Sequence, residues 1–233
     1  MPSRHGMNAC ENVLIVSAHA DDEAFGMGGT LLRLRDQECR LTWLIMSRVW
    51  TPRWSEEEVE QREGDIDRVA EFVGFDDVIR WDFPDNRMDE YPRDDYQAKM
   101  IDVLEDLQPD TIFSPGPSDW NWEHRIAFET VEASTKPVYS PYVQQIYAFE
   151  VPSSTDWGYQ GYRQCHRNVY VDIGEYLTEK VKMCSLYSTE VGEYPHPRSP
   201  QGVEYWSAMR GMECGREAAE AFYAPRIVHD EAK

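Results

Sequence analysis

VLIVSAHADDE, residues 13–23, is the stretch of sequence that decides the fold. Its first five residues form a continuous, largely apolar and β-branched run, which is typical of a strand buried on both faces of a parallel sheet. The run then gives way to His19, Asp21, Asp22 and Glu23. Because ligands bind at the carboxyl ends of the strands in open parallel sheets, we expect these polar side chains to lie at a ligand-binding edge.

Strands and helices alternate along the rest of the sequence. Further strands are predicted at 41–46, 78–83, 111–114, 143–150 and 169–173, the last two as candidates for antiparallel addition. Helices are predicted in a stretch beginning at Thr30, from Ser55 to Val73, and over 96–107, 123–134, 174–187 and 204–222. This order implies right-handed crossovers and an α/β fold, Rossmann-like, with three α/β/α layers around a mostly parallel sheet. We expect one domain over residues 1–233.

Composition and charge restrict the classes of partner. The formal net charge of −20 disfavours nucleic acid and anionic membranes, and a small anionic substrate would need arginines in its own pocket. No apolar run approaches the ~20 residues that span a bilayer, and residues 1–11 lack the apolar stretch of a signal peptide. The five cysteines form no C-x-x-C pair, so neither a disulfide framework nor a thiolate metal site is indicated. We therefore predict a cytoplasmic protein.

The acidic cluster after the first strand has two interpretations. An imidazole beside carboxylates is a natural set of zinc ligands, whereas a solvated acidic loop before a helix would explain His19 and Asp22 equally well. His124 favours the metal site, because it follows the fourth predicted strand and so lies at the same edge of the sheet. Two histidines and one carboxylate leave a coordination position open, as catalytic zinc sites do.

Two motifs carry a resemblance to a known family. AHADDE follows the first strand at 18–23, and NWEHR occupies 121–125. The chain resembles the PIG-L/LmbE-like family of zinc-dependent N-deacetylases, whose signature is a strand followed by (A/P)HPDDE and a later (H/N)xDHR. The likeness continues through FGMGGT (25–30), DFPD (82–85), PD (109–110), NVYVDI (168–173) and YPHPRS (194–199).

The resemblance implies an LmbE-like fold and a particular chemistry. His19, Asp22 and His124 match the ligands of one zinc ion (Zn2+) per chain, and Asp21 matches the general base. The implied reaction removes the N-acetyl group from an N-acetylated amino sugar or sugar conjugate and releases acetate. The alternative is a metal-binding paralogue that is non-catalytic or a broader-specificity amidase. Relatives are often trimers or hexamers, so a homo-oligomer is implied.

Three positions depart from the family pattern. Ala20 replaces a proline, which should affect loop rigidity more than chemistry. Glu123 replaces an aspartate, so a longer carboxylate must support the metal ligands. Asn121 stands where many members have a histidine that is thought to stabilise the oxyanion. Asparagine donates a neutral hydrogen bond, and we predict that Asn121 contacts the substrate.

Three further residues are candidates for contacts with the substrate. Arg62 matches an arginine with which relatives hold a sugar, although an exposed helix charge would explain it equally well. Asp85 matches a carboxylate that can grip sugar hydroxyls. His196 lies in a rigid Pro-His-Pro turn, which is either a surface turn or the source of a second catalytic donor that compensates for Asn121. We predict the catalytic role for His196.

Overall fold

The computed structural model describes residues 10–158 and 166–229. The strands are β1 (Asn12–Ser17), β2 (Arg40–Arg48), β3 (Asp77–Pro84), β4 (Thr111–Pro115), β5 (Gln145–Phe149), β6 (Val169–Asp172) and β7 (Ala219–Ile227). The helices are α1 (Asp22–Asp36), α2 (Glu56–Val73), α3 (Arg93–Leu107), α4 (Trp122–Ser134), α5 (Leu177–Cys184) and α6 (Pro200–Cys214). Short 3-10 turns occupy Met88–Glu90 and Gly174–Tyr176. None of these helices combines the length and apolar character needed to cross a membrane.

Within the described residues, seven strands form one sheet in the order β3-β2-β1-β4-β5-β7-β6. The first five strands of the chain pair in parallel, which confirms the mostly parallel α/β fold. The expectation that 143–150 and 169–173 add antiparallel strands is wrong, because β5 pairs in parallel with β4 and β6 runs in the same direction as β5. The antiparallel strand is β7, which lies between β5 and β6 and pairs with both.

Alternate residues of β1 face two separate cores. Val13 and Ile15 pack with buried residues of α1, α2, α5 and α6 on one side of the sheet. Leu14 and Val16 pack with buried residues of α3 and α4 on the other. A strand buried on both faces needs an unbroken apolar run, and β1 supplies one. The predicted three layers are confirmed.

Helix α1 begins earlier than the sequence indicates. We expected helical structure from Thr30, but the helix starts at Asp22, within the acidic cluster, and is kinked at Met27, whose φ is −141° and ψ is 21°. Beyond the kink, the backbone N–H groups of Gly29 and Thr30 donate to the carboxylate of Glu220, at 2.8 and 2.7 Å. Glycine is required at 29 because a Cβ there would lie 2.7 Å from Ile173.

The predictions for the last two helices are wrong in their limits. The helix predicted at 204–222 runs from Pro200 to Cys214, begins at the Ser199 cap and ends at Gly215, whose φ is 72°. The alanine-rich segment after it forms β7, because pairing on both sides outweighs its helical preference. The helix predicted at 174–187 starts with a 3-10 turn and ends at Cys184.

A buried ion pair joins α5 to β7. Lys180 Nζ lies 2.7 Å from Glu220 Oε1, and each side chain is 2% exposed. Breaking such a pair by removing one partner leaves a buried charge without compensation, which typically costs about 3–5 kcal/mol. The pair therefore fixes α5, β7 and the kink of α1 relative to one another.

We expect Lys180→Met to lower the free energy of unfolding by about 3–5 kcal/mol, because Glu220 loses its cation while staying buried. Lys182→Met is the matched control, since Lys182 is exposed on the same helix. It should change stability by less than about 0.5 kcal/mol. Denaturant unfolding of both variants measures the difference. Equal stability of the two would contradict a structural role for the pair.

Candidate metal centre

The three predicted ligands meet at the carboxyl edge of the sheet. His19 lies in the turn after β1, Asp22 is the first residue of α1, and His124 lies in the first turn of α4. One ligand atom from each lies within 4.8 Å of the others. The chain thus brings together two imidazoles and one carboxylate from segments about 100 residues apart.

The carboxylate of Asp22 is arranged like that of a metal ligand. Its Oδ2 accepts a hydrogen bond of 2.9 Å from the backbone N–H of His19. Its Oδ1 is buried and has no hydrogen-bond partner among the described residues, although Nε2 of His124 lies 3.0 Å away. Ligand atoms around a tetrahedral zinc ion are separated by roughly 3.3–3.5 Å, given bonds of ~2.0–2.2 Å. An orphaned buried oxygen facing an imidazole nitrogen fits a divalent cation.

The two ring nitrogens of His19 have different partners. Nε2 lies 2.6 Å from Oε2 of Glu123 and 3.4 Å from Oδ1 of Asp85. A second group that could hold a cation, formed by His19, Asp85 and Glu123, would use this same nitrogen. Glu123 already accepts hydrogen bonds from the backbone of Asn86 and Met88, at 3.1 and 2.9 Å. Glu123 therefore acts as the carboxylate that orients His19, and Nδ1 is left to face Asp22.

His124 has a supporting carboxylate of its own, which sequence reasoning did not assign. Its Nδ1 lies 3.2 Å from Oδ1 of Asp119. Asp119 in turn accepts from the hydroxyl groups of Ser154 and Thr155 and from the backbone N–H of Asn121. Metal-bound histidines usually donate their second N–H to such an acceptor, which fixes the ring and its tautomer. The position of Asp119, five residues before the predicted ligand His124, is the sequence signal that could have identified it.

The carboxylates of this cluster stabilise positive charge on the groups between them. Burial disfavours a charged imidazole, yet the carboxylates of Asp22 and Asp119 outweigh it and raise the pKa of His124 to about 9. The pKa of His19 is likewise raised despite burial, by its hydrogen bonds to Asp22, Asp85 and Glu123. Burial would raise the pKa of Asp22, but the two histidines hold it well below its usual range. A divalent cation provides the same compensation, and its binding releases the imidazole proton.

Asp21 lies beside this cluster but belongs to neither group that could hold a metal. Its φ of 144° is a strained conformation for a residue other than glycine, at a cost of about 1–3 kcal/mol. The N–H of Asp21 donates to Oε2 of Glu23 at 3.2 Å, and its Oδ2 accepts from Nη1 of Arg198 at 2.9 Å. Its Oδ1 is buried without a partner in the part of the chain that the structure describes. Burial raises the pKa of Asp21 to about 6, although Arg198 opposes it.

Two arginines and one glutamate hold Asp21. Arg62 donates to the carbonyl of Ala20 at 2.8 Å, pairs with Glu190 and lies 3.8 Å from Asp21 Oδ2. Arg198 bridges Asp21 and Glu190 through Nη1. Arg62, predicted as a substrate contact, thus already has carboxylate partners inside the protein. Sequence reasoning missed Glu190 and Arg198, although the rigid turn at 194–199 was a signal for the second.

Asp85 and Asn121 face the same cavity. The side-chain Oδ1 of Asn121 accepts from the N–H of Glu123 at 2.8 Å and caps α4, so its Nδ2 is the part free to donate. Asp85 accepts from Asn86 Nδ2 at 2.8 Å and from the indole of Trp54 at 3.3 Å. The cavity has a volume of about 220 Å³. The predicted site residues that line it are His19, Asp21, Arg62, Asp85, Asn121 and His124.

His196 lies apart from these residues. Its ring packs edge-on against Trp157, with centroids 5.5 Å apart, and its Nδ1 accepts from the backbone N–H of Arg198 at 3.1 Å. His196 is not among the residues that line the cavity, whereas Arg198 is. The catalytic role of His196 stays a prediction.

We expect Glu123→Gln to weaken metal binding about 10-fold or more, because His19 loses the charged acceptor that orients it. Glu129→Gln is the matched control, since Glu129 is exposed on the same helix. Competition with a chromogenic chelator gives both dissociation constants. An unchanged dissociation constant in Glu123→Gln would contradict the supporting role.

Three solved structures share the fold of this chain. One is the conserved protein TT1542 of Thermus thermophilus, at 23% identity and a TM-score of 0.73, with 95% of this chain and 97% of that one covered. Another is the N,N'-diacetylchitobiose deacetylase of Pyrococcus horikoshii, at 19% identity and a TM-score of 0.73, with 94% of this chain and 85% of that one covered. The third is GalB of Pseudomonas putida, a 4-carboxy-2-hydroxymuconate hydratase, at 18% identity and a TM-score of 0.69, with 95% of this chain and 100% of that one covered.

A family model gives a more specific result. The PIG-L model, described as GlcNAc-PI de-N-acetylase, matches residues 14–135, which is more than half of the 233 residues. The matched segment holds all three residues of the His19, Asp22 and His124 group. The chain therefore belongs to the PIG-L family.

Proposed function

We propose that the protein is a zinc-dependent N-deacetylase, which hydrolyses the N-acetyl group of an N-acetylated amino sugar or sugar conjugate and releases acetate. The observation that carries the proposal is Asp21, a carboxylate at the cavity that stands beside the three-residue metal group without belonging to it. Family membership supports hydrolysis of an N-acetyl group. The fold alone does not, because a hydratase has it too.

His19, Asp22 and His124 would hold the ion. A zinc ion held there would supply Lewis acidity, which polarises a carbonyl group and makes water more acidic. Two neutral imidazoles and one carboxylate leave such an ion with a net positive charge, as that chemistry requires.

Asp21 moves the proton in this proposal. Arg198 makes one hydrogen bond to Oδ2, and Oδ1 has no partner among the described residues, so the carboxylate keeps an acceptor for the proton of the attacking water. Asp21 then gives the proton to the departing nitrogen, which leaves as a neutral amine. Arg62, Arg198 and Glu190 are positioning residues for this carboxylate, and the contact of Arg62 with the substrate stays a prediction.

The cavity suits one sugar ring. Its volume of about 220 Å³ is below the ~300–1,000 Å³ of pockets for drug-sized ligands. Within it, Nδ2 of Asn121 can donate to an acyl or hydroxyl oxygen, and Asp85 can accept from sugar hydroxyls. We therefore propose that a single N-acetylated ring enters and that the rest of a larger conjugate stays outside.

A binding protein without catalytic activity, or an amidase of broader specificity, would share the metal group. A protein that only binds metal has no use for a strained Asp21 held by two arginines, which favours an enzyme. The single domain, the cytoplasmic location and the homo-oligomer, trimer or hexamer, stay predictions.

We expect Asp21→Asn to lower kcat by about 10²–10⁴-fold with the metal content unchanged, because a base is lost and a ligand is not. Acetate release from N-acetylglucosamine glycosides and metal analysis provide the two measurements. Asp36→Asn, at the exposed end of α1, is the control and should match the unaltered enzyme. Loss of the metal in Asp21→Asn would show that the roles of Asp21 and Asp22 are reversed.

For the oxyanion, we expect His196→Ala to lower kcat by about 10²–10³-fold with the metal retained, the usual effect of losing a positioned donor. Asn121→Ala should cost less, because an amide donates a hydrogen bond without charge. Steady-state kinetics with metal analysis test both variants. A near-normal kcat in His196→Ala would remove His196 from the site and leave Arg198 as the contribution of this turn.

A further inference from the structure

The cavity is also lined by residues that the proposed chemistry does not use. Ser47 and Arg48 end β2 there, followed by Val49 and Trp54, while α2 contributes Ile66. The N–H of Ser47 donates to the carbonyl of Ala18 at 3.0 Å, so Arg48 begins one strand away from His19. Arg48 and His19 thus follow neighbouring strands, and both residues line the cavity.

The side chain of Arg48 differs from the other charged side chains of this cavity in having no partner among the described residues. Arg62 and Arg198 are paired with Asp21 and Glu190. Glu63 also lines the cavity, and its Oε2 lies 2.6 Å from Nη1 of Arg80. Across residues 10–158 and 166–229, no carboxylate, carbonyl or aromatic ring contacts the guanidinium of Arg48.

An unpaired cation at the mouth of a cavity has a specific consequence in this protein. The net charge of −20 repels anions, so an anionic ligand can bind only where a local cation offsets that field. A guanidinium group presents donors in a planar fork that matches a carboxylate or phosphate, and such charge-assisted hydrogen bonds are stronger than neutral ones.

Exposure alone would not distinguish Arg48 from an ordinary surface charge. Arg40, at the other end of β2, is also exposed, and its side chain has no partner in the part of the chain that the structure describes. It lies at the opposite edge of the sheet and lines no part of this cavity. The position of Arg48 at the cavity mouth is therefore the feature that points to a ligand.

We infer that Arg48 binds an anionic group, a carboxylate or a phosphate, on the aglycone side of the substrate. The inference rests on the proposed deacetylase function and adds the charge of the substrate to it. The N-acetylated ring occupies the inner cavity, and the anionic aglycone leaves through the mouth beside Arg48. An N-acetylated glycoside with a neutral aglycone is then the poorer substrate.

The test compares three glycosides of N-acetylglucosamine: the methyl glycoside, the carboxymethyl glycoside and the glycosyl phosphate. In the unaltered enzyme, kcat/KM for at least one charged glycoside should exceed that for the methyl glycoside, and added salt should reduce the difference. Arg48→Gln should lower this charged-to-neutral ratio by about 10-fold. Arg40→Gln removes the same charge from the same strand and should keep the ratio. The two charged glycosides separate carboxylate from phosphate recognition.

A binding measurement separates the inference from the proposed function. Calorimetry with glucosaminyl phosphate, the deacetylated product, needs no turnover and should show about 10-fold weaker binding to Arg48→Gln. If no glycoside releases acetate but this loss is seen, the deacetylase function fails and the anion site stands. If acetate is released and Arg48→Gln leaves both the ratio and the product affinity unchanged, the inference is overturned and the function stands.

Discussion

Three consecutive carboxylates are buried at the end of β1, and a carboxylate taken out of water is costly unless it is paired, hydrogen-bonded or neutral. Asp21 is 4% exposed, and Asp22 and Glu23 are 0% exposed. Each carboxylate is stabilised by different partners. Asp22 faces two imidazoles, Asp21 faces guanidinium groups, and Glu23 accepts a hydrogen bond of 2.7 Å from the hydroxyl of Tyr187. Burial raises the pKa of Glu23 to about 8, which favours its neutral form.

The partners of these carboxylates come from distant parts of the chain. The imidazole of His124 lies on α4, and Arg198 lies 177 residues beyond Asp21. The carboxyl edge of the sheet is where such segments can meet, because every parallel strand ends there. Separation of roles follows from the same arrangement. In the proposed mechanism, the carboxylate held by imidazoles binds the cation, and its neighbour, held by arginines, accepts the proton.

The sequence predicts this molecule best where the pattern is local. The apolar run of β1 and the Ser55 cap of α2 predict their elements, and His19, Asp22 and His124 converge as the strand order requires. It predicts least where a contact between distant segments determines the structure. Nothing near Arg62 in the sequence indicates that it pairs with Glu190, and its contact with the substrate stays a prediction. The segment of β7 is rich in alanine and resembles a helix until β5 and β6 are beside it.

The position of β7 also has a consequence for synthesis on the ribosome. β6 pairs with β7 alone, and β7 follows every other described element in the chain. While residues 219–227 are still inside the ribosome, β5 has an open edge, β6 has no neighbour, and Lys180 lacks Glu220. Domains generally fold as they emerge, at about 5–20 residues per second. The half of the sheet around β1, with His19, Asp22 and His124, can therefore form first. The other half waits for β7, which lies between β5 and the segment that becomes β6.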